Sequence, residues 1–167
     1  MSCAIGDQYL LPLSGSRKPV PFLVDAYDKV DAQFSPDGRW IVYSSTETGS
    51  GGVYVRPAPE SVGGWPGAQG KWPVSARGGT HARWRGDGKE LFFLAGGHLM
   101  AASIESGSGS FRALSPKPLF PMRRSRGGPP FEYDVSSDGK KFLVLDKPDS
   151  AAPITLILNW EARLSKR

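Results

Sequence analysis

The residues best suited to chemistry recur at a fixed interval. His81 is one of only two histidines in the 167-residue chain; Asp31 lies 50 positions before it and Glu132 lies 51 after it. Two carboxylates and an imidazole can line a polar mouth that binds a ligand, provided the fold brings the three to one place. The competing reading is that they are solvated polar groups at strand ends. A cluster of acids with a histidine on one face is also what a hydrolase needs, so their placement decides between function classes. His98 follows Gly96-Gly97 and reads as a turn residue. No HExxH pair accompanies the histidines, and no metal ligand is assigned.

A second set of acids has the same period. Asp37, Asp87 and Asp138 each precede a glycine. A calcium loop would need several closely spaced oxygen ligands, which these stretches lack. Asp in an Asp-Gly turn bonds its own backbone while glycine takes the left-handed conformation, so these acids read as structural.

The motifs of known catalysis are missing. There is no Gly-x-Ser-x-Gly elbow, and "GAQGKW" departs from a phosphate loop at both ends, with Trp65 for the first glycine and Trp72 for Ser or Thr. Cys3 is the only cysteine, which excludes an intrachain disulfide and a cysteine-rich zinc site. No catalytic residue and no cofactor-binding residue is assigned. Two binding candidates remain. "MRRSRGG" is the densest basic stretch, and its Arg123, Arg124 and Arg126 could grip an acidic partner, or simply be a solvated loop. Trp65, in "SVGGWPGAQG", is the best candidate for an exposed aromatic contact.

Charge and composition narrow the partners. The net charge of +5 comes from scattered cations, so nucleic acid is an unlikely partner and a protein is expected. The first residues lack a basic region and apolar core of the signal-peptide kind, and no run of eighteen apolar residues is present. With 21 glycines and 15 prolines, the composition suits many short strands joined by turns.

A repeat positions all of these residues. Three residues before each Asp of the Asp-Gly pairs stands Phe34, Trp84 or Val135, and two after it stands Arg39, Lys89 or Lys140. Apolar runs follow at Ile41–Tyr43, Leu91–Leu94 and Phe142–Leu145. Each hairpin leads to a third strand, at Val53–Pro57, His98–Ile104 and Ile154–Trp160, and two units add a fourth, at Lys71–Ser75 and Lys117–Phe120. "DQYLLPL" and "KPVPFL" near the start match third and fourth strands. Four strands at a period near fifty describe a propeller blade. The expected fold is therefore all-β: a partial β-propeller of four-stranded antiparallel blades, about three blades' worth of strands. One propeller segment spans 1–167. It has the last two strands of a blade at 7–23, complete blades at 31–75 and 81–120, three strands of a final blade at 131–160, and a charged tail at 161–167. In such a ring Asp31, His81 and Glu132 fall near the central channel.

"SPDGRWIVYSS" with "VYVRP" resembles the bacterial TolB-like β-propeller repeat, related to the WD-type repeats; "WRGDGKELFFL" and "VSSDGKKFLVL" are degraded copies, with Gly86 and Ser137 in place of Pro36. The closing "PITLILNWEARLSK" resembles the end of propeller segments at the C-terminus of large bacterial proteins, among them receptor-like serine/threonine kinases. The resemblance implies a non-catalytic scaffold or sensor, and only through it an extracytoplasmic or periplasmic place. It carries over no functional residue, and the chain has no kinase motif. Two functions follow as expectations. One is a module for protein interaction or ligand sensing within a larger bacterial protein. The other is the propeller domain of a hydrolase or peptidase whose catalytic part is absent or not recognisable here. An incomplete ring also invites self-association.

Overall fold

Each Asp-Gly pair closes a hairpin whose second strand is too apolar to face water. The structure, a computed structural model, describes residues 6–15, 17–59, 70–75, 78–107, 110–122, 133–145 and 157–158. The first hairpin joins β3 (Lys29–Phe34) to β4 (Trp40–Ser45), and every residue of β4 is buried. Completing that sheet are β5 (Gly52–Pro57) and β6 (Trp72–Pro73), in the order β3-β4-β5-β6. Before it, β1 (Gln8–Leu10) and β2 (Val20–Leu23) form an antiparallel pair.

The next unit repeats the plan with β7 (Thr80–Trp84), β8 (Glu90–Ala95) and β9 (His98–Ser106). Its outer edge is divided. Both β10 (Phe111–Ala113) and β11 (Lys117–Pro121) pair with β9, one on each half of that nine-residue strand. The expected fourth strand corresponds to β11; β10 is an addition, made possible because β9 continues two residues beyond Ile104. The last sheet holds β12 (Tyr133–Val135), β13 (Lys141–Val144) and β14 (Ile157–Leu158) in that order.

Alternation along the second strands explains how the sheets stack. Successive side chains of a strand point to opposite faces. Ile41 and Tyr43 of β4 pack with Phe22 and Leu23 of β2. Trp40 and Val42 pack on the other side, with Ala82, Trp84, Leu91 and Phe93 of the following sheet. Phe92 and Leu94 of β8 then face Tyr133 and Phe142 of the last sheet. Both faces of β4 and β8 are thus covered, which is why their runs are continuously apolar. Aromatic rings fill the seams: Trp40 lies 5.1 Å from Phe111, and Phe92 meets Phe142 edge-on at 5.0 Å. These antiparallel sheets, stacked face to face at a constant sequence period, are a partial all-β propeller.

The hairpin turns lock by a mechanism that varies between copies. Asp37 Oδ1 accepts from the Arg39 amide, and the Ser35 hydroxyl donates to Asp37 while accepting from the Trp40 amide at 2.9 Å. Ser136 and Asp138 repeat the arrangement with the Lys140 and Lys141 amides. The middle copy has Arg85 in place of serine, and its guanidinium grips both oxygens of Asp87 at 2.8 Å. The structure also explains why the middle turn lacks proline. The Gly86 amide donates to the Ser137 carbonyl of the next hairpin at 2.8 Å, and a Cβ on Gly86 would stand 2.6 Å from that oxygen. Proline there would remove the donor and clash.

Candidate functional site

The first strands β3, β7 and β12 lie at one edge of each sheet and touch in succession. The Trp84 amide donates to Gln33 Oε1 at 3.3 Å, and the Tyr133 hydroxyl donates to the His81 carbonyl at 2.7 Å. Asp31 and His81 sit on this edge. Each occupies a bulge in its hairpin. Val30 faces Ser44 and Gln33 faces Val42, so Asp31 and Ala32 share Tyr43 as their opposite number. Likewise Thr80 faces Leu94 and Arg83 faces Phe92, so His81 and Ala82 share Phe93.

Both bulges have the same unusual backbone. Asp31 has φ 57° and His81 has φ 56°, in the left-handed region that a bulge of this type normally gives to glycine. Keeping a side chain there costs free energy in each copy, and strain of this kind clusters at ligand sites. The side chains it presents meet: His81 Nε2 stands 3.9 Å from Asp31 Oδ2, and each side chain is only 8 % exposed. That separation is too long for a hydrogen bond. Asp31 Oδ2 and His81 Nδ1 are buried without any hydrogen-bond partner among the described residues. A buried carboxylate oxygen and a ring nitrogen left in this state form a pair set up to receive polar atoms from outside. Tyr133 braces the site by holding the carbonyl of the left-handed residue, and burial pushes its hydroxyl pKa up, so it remains a donor at all ordinary pH.

A cleft of about 430 Å³ at the start of β7 and the β8–β9 turn is lined by Thr80, Met122 and the glycines at 78, 79, 96 and 97; neither Asp31 nor His81 lines it. His98, at the start of β9, borders this cleft and has Nδ1 3.1 Å from the Gly96 carbonyl, a turn contact. Among the described residues no group of three or more His, Cys, Asp or Glu side chains is placed to hold a metal ion. The Asp-Gly acids lie elsewhere, with oxygens committed to their turns. The Ser35 hydroxyl and the Arg39 backbone and guanidinium hold Asp37 down to about 2 against the opposing cost of burial. Asp87 is lowered by Arg85, and Asp138 by Ser136.

Of the residues singled out from sequence, Asp31 and His81 are brought side by side. Glu132, Trp65, Arg123, Arg124 and Arg126 lie outside the described residues. Sequence reasoning missed Tyr133, Gln33 and the serines of the turns. The recurrence of serine two residues before Asp37 and Asp138 was a usable signal; nothing in the sequence marked Tyr133.

No family profile matches the chain, and no curated protein matches it. Among solved structures it is similar to TolB from Acinetobacter baumannii, at 18 % sequence identity and a TM-score of 0.35. That alignment covers 92 % of this chain and 46 % of TolB, so the chain spans about half the length of that protein. The fold assignment rests on the repeated sheets and their stacking. The comparisons show nothing of a kinase-associated setting.

Proposed function

We propose that this chain is a non-catalytic β-propeller module for protein interaction or ligand sensing, part of a bacterial protein whose ring is larger than the strands described. Its blades are the segments 7–23, 31–75, 81–120 and 131–160, and its binding point is the inner edge where Asp31 and His81 meet. Trp65 and the arginines at 123, 124 and 126 are further contacts of the same reading. The observation that carries the proposal is the twice-repeated left-handed bulge, which spends stability to hold Asp31 Oδ2 and His81 Nδ1 buried without a hydrogen-bond partner among the described residues.

The juxtaposed acid and imidazole favour one alternative, the propeller domain of a hydrolase or peptidase. A relay of that kind needs the imidazole to donate a hydrogen bond to the acid and to accept one from the nucleophile. Here Asp31 stands too far for the first, and Nδ1 of His81 makes none among the described residues.

The test is affinity capture from a bacterial lysate on the immobilised native chain and on a double variant, Asp31→Gly with His81→Gly. A protein retained by the native chain and lost by the folded double variant supports the reading. Equal capture by both removes Asp31 and His81 from the function. Turnover of peptide or ester substrates that disappears with His81→Gly would establish the hydrolase instead.

A further inference from the structure

We propose that the group received by Asp31 and His81 is a cation, the ammonium or guanidinium of a lysine or arginine side chain of the partner; the inference rests on the binding reading of this point. The pair lies at an internal seam. Asp31 is on β3 and His81 on β7, the first strands of two successive sheets, and Tyr133 of β12 holds the His81 carbonyl from the next sheet.

The chemistry of the ligand follows from what the pair lacks. The Asp31 side chain is 8 % exposed, and its Oδ2 has no hydrogen-bond partner. Among the described residues the one group able to carry positive charge within ion-pair reach of Asp31 is His81, and its Nε2 stops at 3.9 Å. A carboxylate withdrawn from water calls for a countercharge as well as donors. The charged groups around the pair do not supply one. Arg83 of β7 and Asp134 of β12 both act on the neighbouring Tyr133 hydroxyl, and Arg83 donates to the Ala82 carbonyl at 2.8 Å. With Asp31 and Asp134 set against Arg83, the acids are one in excess.

The spacing suits a nitrogen that carries several N–H bonds. When Nε2 of a neutral imidazole holds the lone pair, it and Asp31 Oδ2 are two acceptors side by side. One nitrogen placed ~2.8 Å from both of two atoms 3.9 Å apart sees them about 90° apart, within the reach of bent N–H bonds from a single ammonium or guanidinium nitrogen. A hydroxyl or amide would fill the bonds and leave the carboxylate charge buried. An anion would add a like charge.

The experiment is NMR on the full chain with ring-labelled histidine and carboxyl-labelled aspartate. The probes are the peptides acetyl-Gly-Arg-Gly-amide and acetyl-Gly-Lys-Gly-amide, added to ~20 mM, with the neutral citrulline and acetyl-lysine peptides as matched controls. At least one basic peptide is expected to move the Asp31 and His81 signals saturably, with an affinity about fivefold or more above its neutral control, and to leave those signals still in Asp31→Asn. The neutral controls make the same test on the unaltered chain. Equal response to a neutral peptide, a response that survives Asp31→Asn, or none from either basic peptide would overturn the cation. In any of those cases, if the protein recovered by affinity capture still moves the His81 signals, the binding reading stands and the cation alone falls. If that protein also leaves them still, both fall.

Discussion

Replacing Asp31 by glycine is expected to make the protein more stable while it removes the candidate binding point. Three contributions decide the sign. The φ of 57° is unfavourable for any residue with a Cβ, by about 1 kcal/mol for an aspartate. The buried Asp31 Oδ2 without a partner adds ~1 kcal/mol or more of uncompensated desolvation. Against these, glycine loses ~0.5–1 kcal/mol through the greater freedom of the unfolded chain. The contact given up is the 3.9 Å approach to His81, too long to be a hydrogen bond. The balance is a stabilisation of about 1 kcal/mol, or a rise in Tm of roughly 2–4 °C for a domain of this size. Differential scanning calorimetry at neutral pH reads it directly. Asp31→Val is the matched control: a β-branched residue at positive φ is expected to lower Tm by several degrees. If Asp31→Gly instead lowers Tm by about 2 °C or more, Asp31 is a structural residue and the strain argument is wrong.

Other outcomes follow from the turns and seams. Restoring proline to the middle repeat, Gly86→Pro, breaks the 2.8 Å bond to the Ser137 carbonyl and is expected to cost about 2–3 kcal/mol by chemical denaturation, although it makes the sequence more regular. Ser35→Ala leaves the buried Trp40 amide without its side-chain acceptor and is expected to cost ~1–3 kcal/mol in the same assay. Acid should act on all three turns. Asp37, Asp87 and Asp138 have lowered folded-state pKa values, so their contribution is full above the ordinary carboxylate value and is lost as pH falls through the folded one. Tm measured from pH 5 to pH 2 is therefore expected to fall chiefly below pH ~4, and the fall should shrink in Ser35→Ala with Ser136→Ala; an unchanged profile in that double variant would show that the turn carboxylates are not responsible.

The architecture was legible because it is written in apolar residues at a fixed period. The hairpin strands, the long buried runs of β4 and β8 and the first-strand place of His81 and Asp31 all follow from aligning the Asp-Gly pairs. What the alignment could not show is conformational. A bulge looks like any other pair of residues in a strand, and the left-handed backbone at Asp31 and His81 has no glycine to announce it. The loss of proline at Gly86 read as decay of the repeat, whereas it makes room for a bond to the next hairpin. The division of the outer strand into β10 and β11 was equally hidden, since it depends on how far β9 continues past Ile104. Tyr133 stands at the repeat position of Ala32 and Ala82, and only packing reveals that its hydroxyl reaches the carbonyl of His81.

The two histidines offer the most direct test of the binding claim. His81 is buried at the inner edge, and His98 borders a separate cleft on a different strand. With ring-labelled histidine in the native chain, NMR spectra would be recorded while the protein recovered by affinity capture is added. The account expects the His81 ring resonances to shift and those of His98 to stay, with no such shift when the added protein meets Asp31→Gly. A complex that forms while the His81 signals stay unmoved would contradict it.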